Sequence, residues 1–191
     1  MIYTALNIIG NKLNEYLKLK FKSNDNHLEM SNLVDQDGSI AITDTNKVIA
    51  SLVNIERETS MGINPKMQYN SNGRHTMGKP PVFINVYLMF TSLFTGKNYL
   101  EGLKFISAIM EYLQGTPAID HMNTPQLSDK IEKITFENVN LDIQDLSQLW
   151  GAIGGKYMPS VLYKIRMITI DQDKIDAEVQ SVDTPDTKTT M

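Results

Sequence analysis

The chain has 191 residues, a formal net charge of −4 and no cysteine. This length favours one domain, and the lack of cysteine excludes disulfides and thiol chemistry and suits synthesis in the cytosol. No apolar run approaches the roughly 20 residues that a membrane-spanning helix needs, and the amino terminus lacks the basic start of a secretory signal. The acidic balance gives no general electrostatic reason to bind nucleic acid.

The first half of the chain predicts one helix followed by strands. Residues 2–21 repeat apolar side chains at steps of three and four, which is the spacing of one helical face. His27–Ser31 is a candidate short strand, and the second half of Lys47–Glu58 alternates as a strand does. Val82–Phe94 is the most apolar run in the chain, and this predicts a central strand covered on both faces.

The second half begins with a helix that lies between two capping residues. We predict this helix over Tyr99–Gln114, with Asn98 as its N-cap and Gly115 as its C-cap. Ile131–Val139 then alternates between apolar and polar residues, which predicts a half-buried strand.

A third helix and a last strand complete the predicted domain. Asp142 is placed to cap the helix that carries Trp150, and Ser160–Ile170 alternates as the last strand. The resulting order is helix, two or three strands, helix, strand, helix, strand. This order predicts a single α+β domain, a mixed four- to five-stranded sheet with about three helices packed on it.

Two polar segments of opposite charge stand apart from these elements. Thr59–Pro81 is rich in Gly, Asn, Ser and Pro, carries basic but no acidic residues, and is predicted to be a long, functional loop. From Asp171 to the end, acidic residues outnumber lysines, so we divide the chain into a domain at 1–170 and a polar extension at 171–191. The two segments either attract each other, bind two different neighbours, or are simply solvated. We expect the extension to dock on a neighbouring chain.

Residue types that support catalysis or metal binding are scattered. His27, His75 and His121 sit in or beside different turns, and none has a partner at the helical spacing of a zinc site. Asp142 and Asp145 are explained more simply by helix capping and the helix dipole. We therefore predict that the protein is not an enzyme and has no metal site and no cofactor. An enzyme with a cryptic polar site is kept as an alternative.

Three stretches taken together resemble a known family. They are MIYTALNIIGNKLNEYL, then VIASLVNIERE followed after an irregular loop by PPVFINVYLMFTSLF, and LSQLWGAIGGKYMPSVLYKIRMITI. In the third stretch the order of six residues is typical of that family: Trp150, Tyr157, Pro159, Ser160, Tyr163 and Arg166. Over about residues 1–170, the sequence is similar to the cap, or tail-terminator, proteins of phage-tail-like contractile injection systems of the antifeeding-prophage and virulence-cassette type.

The resemblance implies a non-catalytic structural subunit. Such subunits form a ring, expected to be a hexamer, on the baseplate-distal end of the tube and sheath, where they end polymerisation and join sheath to tube. The expected partners are other copies of the chain, the inner tube protein and the contractile sheath protein, without nucleic-acid binding or membrane insertion. Assembly is expected in the cytoplasm, in a particle that is released or anchored. The alternative is a non-catalytic adaptor elsewhere in the same kind of particle.

Two groups of residues are predicted to contact other rings of such a particle. A flexible basic loop can adapt to a ring below it, so the predicted tube-facing residues are Lys66, Tyr69, Arg74 and Lys79. With Tyr69 as the nearby aromatic, these charges are a weak footprint for nucleic acid. The extension can add a strand to an exposed sheet edge, so its apolar residues are predicted as an inter-subunit or sheath arm: Ile175, Val179 and Val182.

The residues of the third stretch have a structural interpretation first. Trp150 is predicted to lie in the core, Pro159 sets the entry into the last strand, and Tyr163 packs on the core face of that strand. Arg166, on the opposite face, pairs with a carboxylate either within the chain or across the ring, and the pair within the chain is favoured.

Overall fold

The computed structural model describes residues 1–35, 37–39, 41–42, 46–58, 67–69, 75–78, 82–169 and 175–179. None of the helices in these ranges is long and apolar enough to cross a membrane. The elements are α1 (Ile2–Phe21), β1 (Leu28–Met30), β2 (Lys47–Arg57), β3 (Met67–Tyr69), β4 (His75–Gly78), β5 (Val82–Leu93), α2 (Tyr99–Gly115), β6 (Ala118–Asp120), β7 (Ile131–Val139), α3 (Ile143–Ile153), β8 (Ser160–Thr169) and β9 (Ile175–Val179).

The main sheet has six strands in the order β1-β2-β5-β8-β7-β6. Its neighbours run antiparallel, except that β1 and β2 are parallel. The predicted α+β class, with a mixed sheet and three helices, is confirmed. The sheet has one strand more than the upper prediction, because β6 is only three residues long and three residues are too few to show an alternation.

Strand β5 lies inside the sheet and is covered on both faces, as its apolar run predicted. Alternate residues enter two separate cores, with Leu88 and Phe90 in one and Met89 and Leu93 in the other. A strand buried on both faces reads as a continuous apolar run rather than as an alternation.

The first core lies between one face of the sheet and helices α1 and α2. Ile9, Leu13 and Leu17 of α1 are fully buried there, at the helical spacing seen in the sequence. Each such burial contributes on the order of 1.5–3 kcal/mol to folding. Helix α2 crosses the sheet closely at Gly102, where an added Cβ would lie 2.8 Å from ring carbons of Phe94.

The second core lies on the opposite face, under α3. Trp150 is buried there with apolar residues of β2, β5 and β8. The predicted cap of α3 is confirmed, since the Asp142 carboxylate accepts a hydrogen bond from the Asp145 N–H at 2.8 Å. The helix ends at Gly154, whose φ of 77° is the left-handed conformation that favours glycine.

The two predicted caps of α2 and the predicted alternation of β2 are corrected. Asn98 precedes α2 but makes no side-chain cap; its amide donates instead to Asn46 Oδ1 at 3.2 Å. Gly115 belongs to α2, and Thr116 is the residue that follows its end. In β2, a register shift between Leu52 and Asn54 interrupts the predicted alternation.

Candidate functional site

Two of the aromatic residues of the third motif stretch, Trp150 and Tyr163, are part of the domain core. Trp150 is buried, and its ring meets that of Tyr157 edge-on with centroids 5.8 Å apart, while Tyr157 stays 65% exposed. Tyr163 is buried in the first core and packs edge-on against Phe90 at 5.9 Å. The core positions predicted for Trp150 and Tyr163 are therefore confirmed.

Pro159 and Ser160 fix the start of β8. The Pro159 carbonyl accepts a hydrogen bond from the N–H of Ser92 at 2.9 Å, and Ser160 is paired with Thr91 of β5. Pro159 thus lies directly before β8, and its carbonyl joins this point of the chain to β5.

Arg166 pairs with a carboxylate of its own chain, as favoured from the sequence. Its Nη2 donates to Glu58 Oε2 at 3.1 Å. The Glu58 side chain is only 9% exposed, although the residue directly follows the end of β2.

Further polar side chains of β2, β5 and β8 surround this pair. The Asn85 amide donates to Glu56 Oε1 at 3.2 Å and to Glu58 Oε2 at 3.1 Å. Lys164 Nζ lies 3.9 Å and 3.8 Å from the same two oxygens. We call this group the charged network, and its members are Glu56, Glu58, Asn85, Tyr87, Lys164 and Arg166.

Tyr87, which packs against the second core, also belongs to the charged network. Its hydroxyl donates to Glu56 Oε1 at 2.7 Å, and this hydrogen bond raises the pKa of Tyr87 to about 12. The hydroxyl therefore stays protonated at neutral pH and acts as a donor. Only Arg166 of this network was predicted from the sequence to pair with a charge, because the other members come together through strand pairing that no local pattern reveals.

The segment predicted as a long loop contains two strands, which corrects that prediction. β3 and β4 pair with each other, and β4 also pairs with β9, so these three strands form a second, small sheet in the order β3-β4-β9. β9 also shows that β8 is not the last strand. Strands of three to five residues carry too little apolar alternation to be recognised, both in the Gly- and Asn-rich segment and in the acidic extension.

The small sheet unites the basic segment with the acidic extension. Met77 of β4 is paired with Ala177 of β9, and His75 with Val179, so the two segments bind each other through their backbones. The extension from residue 175 to 179 is thus paired within its own chain.

Three of the predicted contact residues belong to the small sheet. Tyr69 ends β3, and Ile175 and Val179 are the first and last residues of β9. Four others lie outside the described residues: Lys66, Arg74, Lys79 and Val182. Their contacts with tube, sheath or neighbouring copies stay predictions.

The strand order of the small sheet repeats that of the main sheet. Along the chain β3 follows β2, β4 precedes β5, and β9 follows β8, while β2, β5 and β8 are direct neighbours in the same order. The pairs Arg57 with Ile84 and Val82 with Thr169 place the three connecting ends on one side of the main sheet. The charged network belongs to these same three strands.

The histidines lie apart, and the described ranges hold no group of acidic and histidine residues that could bind a metal ion. His27 borders a cavity of about 540 Å³ that Asp25, Glu101 and Phe105 also line. Burial lowers the pKa of His27, so its ring is neutral at pH 7. His121 Nε2 lies 2.9 Å from the carbonyl oxygen of Ile131, in the turn after β6.

The six-stranded sheet, with two helices on one face and one on the other, defines an α+β structural domain. Comparison with protein families then identifies it: the chain belongs to the Pvc16 N-terminal domain family, which matches residues 5–184. This confirms the resemblance that the motif residues indicated. No curated protein matches the chain.

Two solved structures share the fold. The anti-feeding prophage cap (AFP tube terminating cap) matches with a TM-score of 0.61 and 12% identity, over 96% of this chain and 60% of that one. The PVC sheath/tube terminator of an extracellular contractile injection system, in its extended state, matches with a TM-score of 0.57 and 16% identity, over 96% of this chain and 64% of that one. The chain thus spans less than two thirds of the length of either structure.

Proposed function

We propose that this chain is a terminator subunit that caps the baseplate-distal end of the tube and sheath in a contractile injection particle. The observation that carries the proposal is the fold, which matches a tube terminating cap and a sheath/tube terminator over 96% of the chain. Membership of the Pvc16 N-terminal domain family agrees with it. Capping ends polymerisation and joins the last sheath layer to the tube.

A terminator works by surface complementarity rather than by a reaction. Copies of the chain form a ring, expected to have six subunits, through a head-to-tail interface that closes on itself. One side of this ring matches the last ring of tube and sheath subunits, and the other side offers no copy of that surface. The particle assembles in the cytoplasm.

The small sheet is our candidate for the surface that meets the tube. It draws on the basic segment, and the tube-facing residues predicted from sequence flank or end its strands: Lys66, Tyr69, Arg74 and Lys79. Because β9 is paired with β4, the extension supports this surface, and Val182 stays our candidate for contact with the sheath or a neighbouring copy.

The charged network supports a structural role. Both glutamates are engaged by donors from neighbouring strands, and the raised pKa of Tyr87 keeps its hydroxyl protonated. Groups tied in this way hold strands together instead of exchanging protons with a substrate.

The proposal is tested by producing particles with and without this chain and measuring their lengths in electron micrographs. We expect a broad length distribution and open baseplate-distal ends when the chain is missing, and uniform capped particles when it is restored. Equal length distributions in both preparations would show that another component ends polymerisation.

A charge-reversal variant tests the tube-facing surface separately. In the variant the basic residues of the segment Thr59–Pro81 become Glu at positions Lys66, Arg74 and Lys79. The matched control makes the same change at three exposed lysines elsewhere: Lys97, Lys104 and Lys156. We expect the segment variant to fold but to cap few tubes, and the control to cap normally. Equal capping by both variants would show that the tube contact lies outside this segment.

A further inference from the structure

The charged network is partly withdrawn from solvent: the Glu58 side chain is 9% exposed, and those of Arg166 and Glu56 are 33% and 42% exposed. Asn85 is 1% exposed and sits in the middle of a three-strand row, paired with Glu56 of β2 on one side and Arg166 of β8 on the other. Farther along the same face, β2, β5 and β8 carry the apolar residues that pack under α3. The sheet therefore changes from apolar to charged toward the end from which the small sheet is built.

Stability alone does not account for this change. Replacing a buried ion pair by apolar residues of similar volume is often neutral or stabilising, because desolvation offsets the attraction of the charges. Within the described part of the chain, Asn85 Oδ1 has no hydrogen-bond partner, which adds a further cost. Charged side chains in such a position fix the arrangement of the strands that carry them, because their hydrogen bonds and ion pairs form in only one arrangement.

The arrangement that the network fixes is the register of three strands. A slip of one residue turns every side chain of a strand to the other face. β2 carries a register shift between Leu52 and Asn54, just before Glu56, and such irregularities bend a strand and increase its twist. The contacts of Glu56 and Glu58 to Asn85, Lys164 and Arg166 hold β2, β5 and β8 in one register beyond this shift.

The small sheet depends on these same strand ends. Only residues 79–81 separate β4 from β5, and residues 170–174 separate β8 from β9. Three residues span at most roughly 10 Å, so the end of β4 must lie close to the start of β5. A change in register at the charged network therefore displaces the strands of the small sheet.

We propose that Glu58 and Arg166 are positioning residues that, through Asn85, fix the register of β2, β5 and β8 and thereby the position of the small sheet β3-β4-β9. Glu58 and Arg166 do not contact the protein that binds the small sheet. They affect its binding only through the strands whose register they fix. The proposal rests on the terminator function for the identity of this partner, but not for the positioning itself.

The test is hydrogen exchange measured by mass spectrometry on the isolated full chain. The variant Glu58→Gln keeps the shape of the side chain and removes its charge. The control Glu111→Gln breaks the exposed ion pair between Lys20 and Glu111 on the two helices. We expect amides of β3, β4 and β9 to exchange about tenfold faster in Glu58→Gln, while amides of α1 and of the half of β5 away from the network, residues 88–93, keep the rate of the control.

A second variant guards against a failure of the first to fold. Arg166→Met keeps an apolar stem and loses the donor, and we expect the same selective loss of protection. The proposal is overturned if the small sheet exchanges as in the parent chain, or if α1 and residues 88–93 of β5 lose protection to the same extent. Because hydrogen exchange needs no particle, its outcomes are separate from those of the test of the terminator function. If the small sheet loses protection as expected but particles without the chain have normal lengths, only the terminator function is contradicted.

Discussion

Arg166 and Glu58 form a hydrogen bond of 3.1 Å although 108 positions separate them in the chain. Arg166 lies in β8 and Glu58 directly after β2, and β5 runs between these two strands. Second-neighbour strands are about 9.6 Å apart, so both long side chains must reach across the residue of the middle strand. That residue is Asn85, whose short amide leaves room and donates to Glu58 as well.

Asn85→Asp should therefore be more damaging than the loss of the two amide hydrogen bonds alone. The new carboxylate would face Glu56 and Glu58 in a buried position, and like charges there disfavour folding. We expect a loss of about 2–4 kcal/mol in the free energy of unfolding at pH 7. The loss should shrink as the pH falls and the carboxylates become protonated. Urea denaturation at several pH values measures this effect, with Asn85→Ala as the control; an equal loss for both variants at pH 7 would contradict it.

Trp150 should tolerate Phe much better than Ala. Its ring fills the second core and meets Tyr157, but its buried Nε1 has no hydrogen-bond partner among the described residues. Trp150→Phe thus removes volume but no hydrogen bond, and we expect a cost of about 1–2 kcal/mol against about 3–5 kcal/mol for Trp150→Ala. Thermal and urea unfolding give both values. Similar losses for the two variants would indicate that the indole N–H has a partner.

Gly102→Ala should destabilise the domain although alanine favours helices. The added Cβ would meet the ring of Phe94 at 2.8 Å, so α2 or the ring must shift. We expect a net loss of about 1–3 kcal/mol. Gly151→Ala in α3 is the matched control, because nothing lies within 4 Å of its Cβ position, and it should gain about 0.5–1 kcal/mol. Stabilisation of both variants in urea unfolding would refute the close approach at Gly102.

His27 should make the fold sensitive to mild acid. Burial lowers the pKa of its ring below the ordinary 6.5, so the unfolded chain binds a proton more readily than the folded one. The stability that follows from this difference in pKa is present above pH 6.5. It is lost as the pH falls through the pKa of His27 in the folded chain. His27→Phe keeps a ring against Phe105, 4.5 Å away, and should lose less stability between pH 7 and pH 5 than the parent chain. Identical pH profiles in urea unfolding would contradict this.

Local patterns were sufficient where one element decides its own structure. The apolar repeat of residues 2–21, the continuous run that became β5 and the Asp142 cap are visible within a few residues of sequence, and each is present in the fold. Arg166 was also expected to find a carboxylate of its own chain, since a charge on a half-buried strand needs a partner.

Features that depend on which strands become neighbours were missed. The pairing of β4 with β9 joins His75 to Val179 across 104 positions of sequence, and neither strand is long enough to show a pattern. The charged network likewise needs β2, β5 and β8 side by side before Glu56, Asn85 and Lys164 can meet. Short strands and long-range polar contacts are determined by the tertiary fold, not by local preference.

The most direct measurement of the central claim is a cryo-electron microscopy reconstruction of both ends of tubes assembled with this chain. We predict density for a ring of these domains at the baseplate-distal end alone, with the small sheet turned toward the last tube ring. Density for the domain at the baseplate, along the sheath, or at neither end would contradict it.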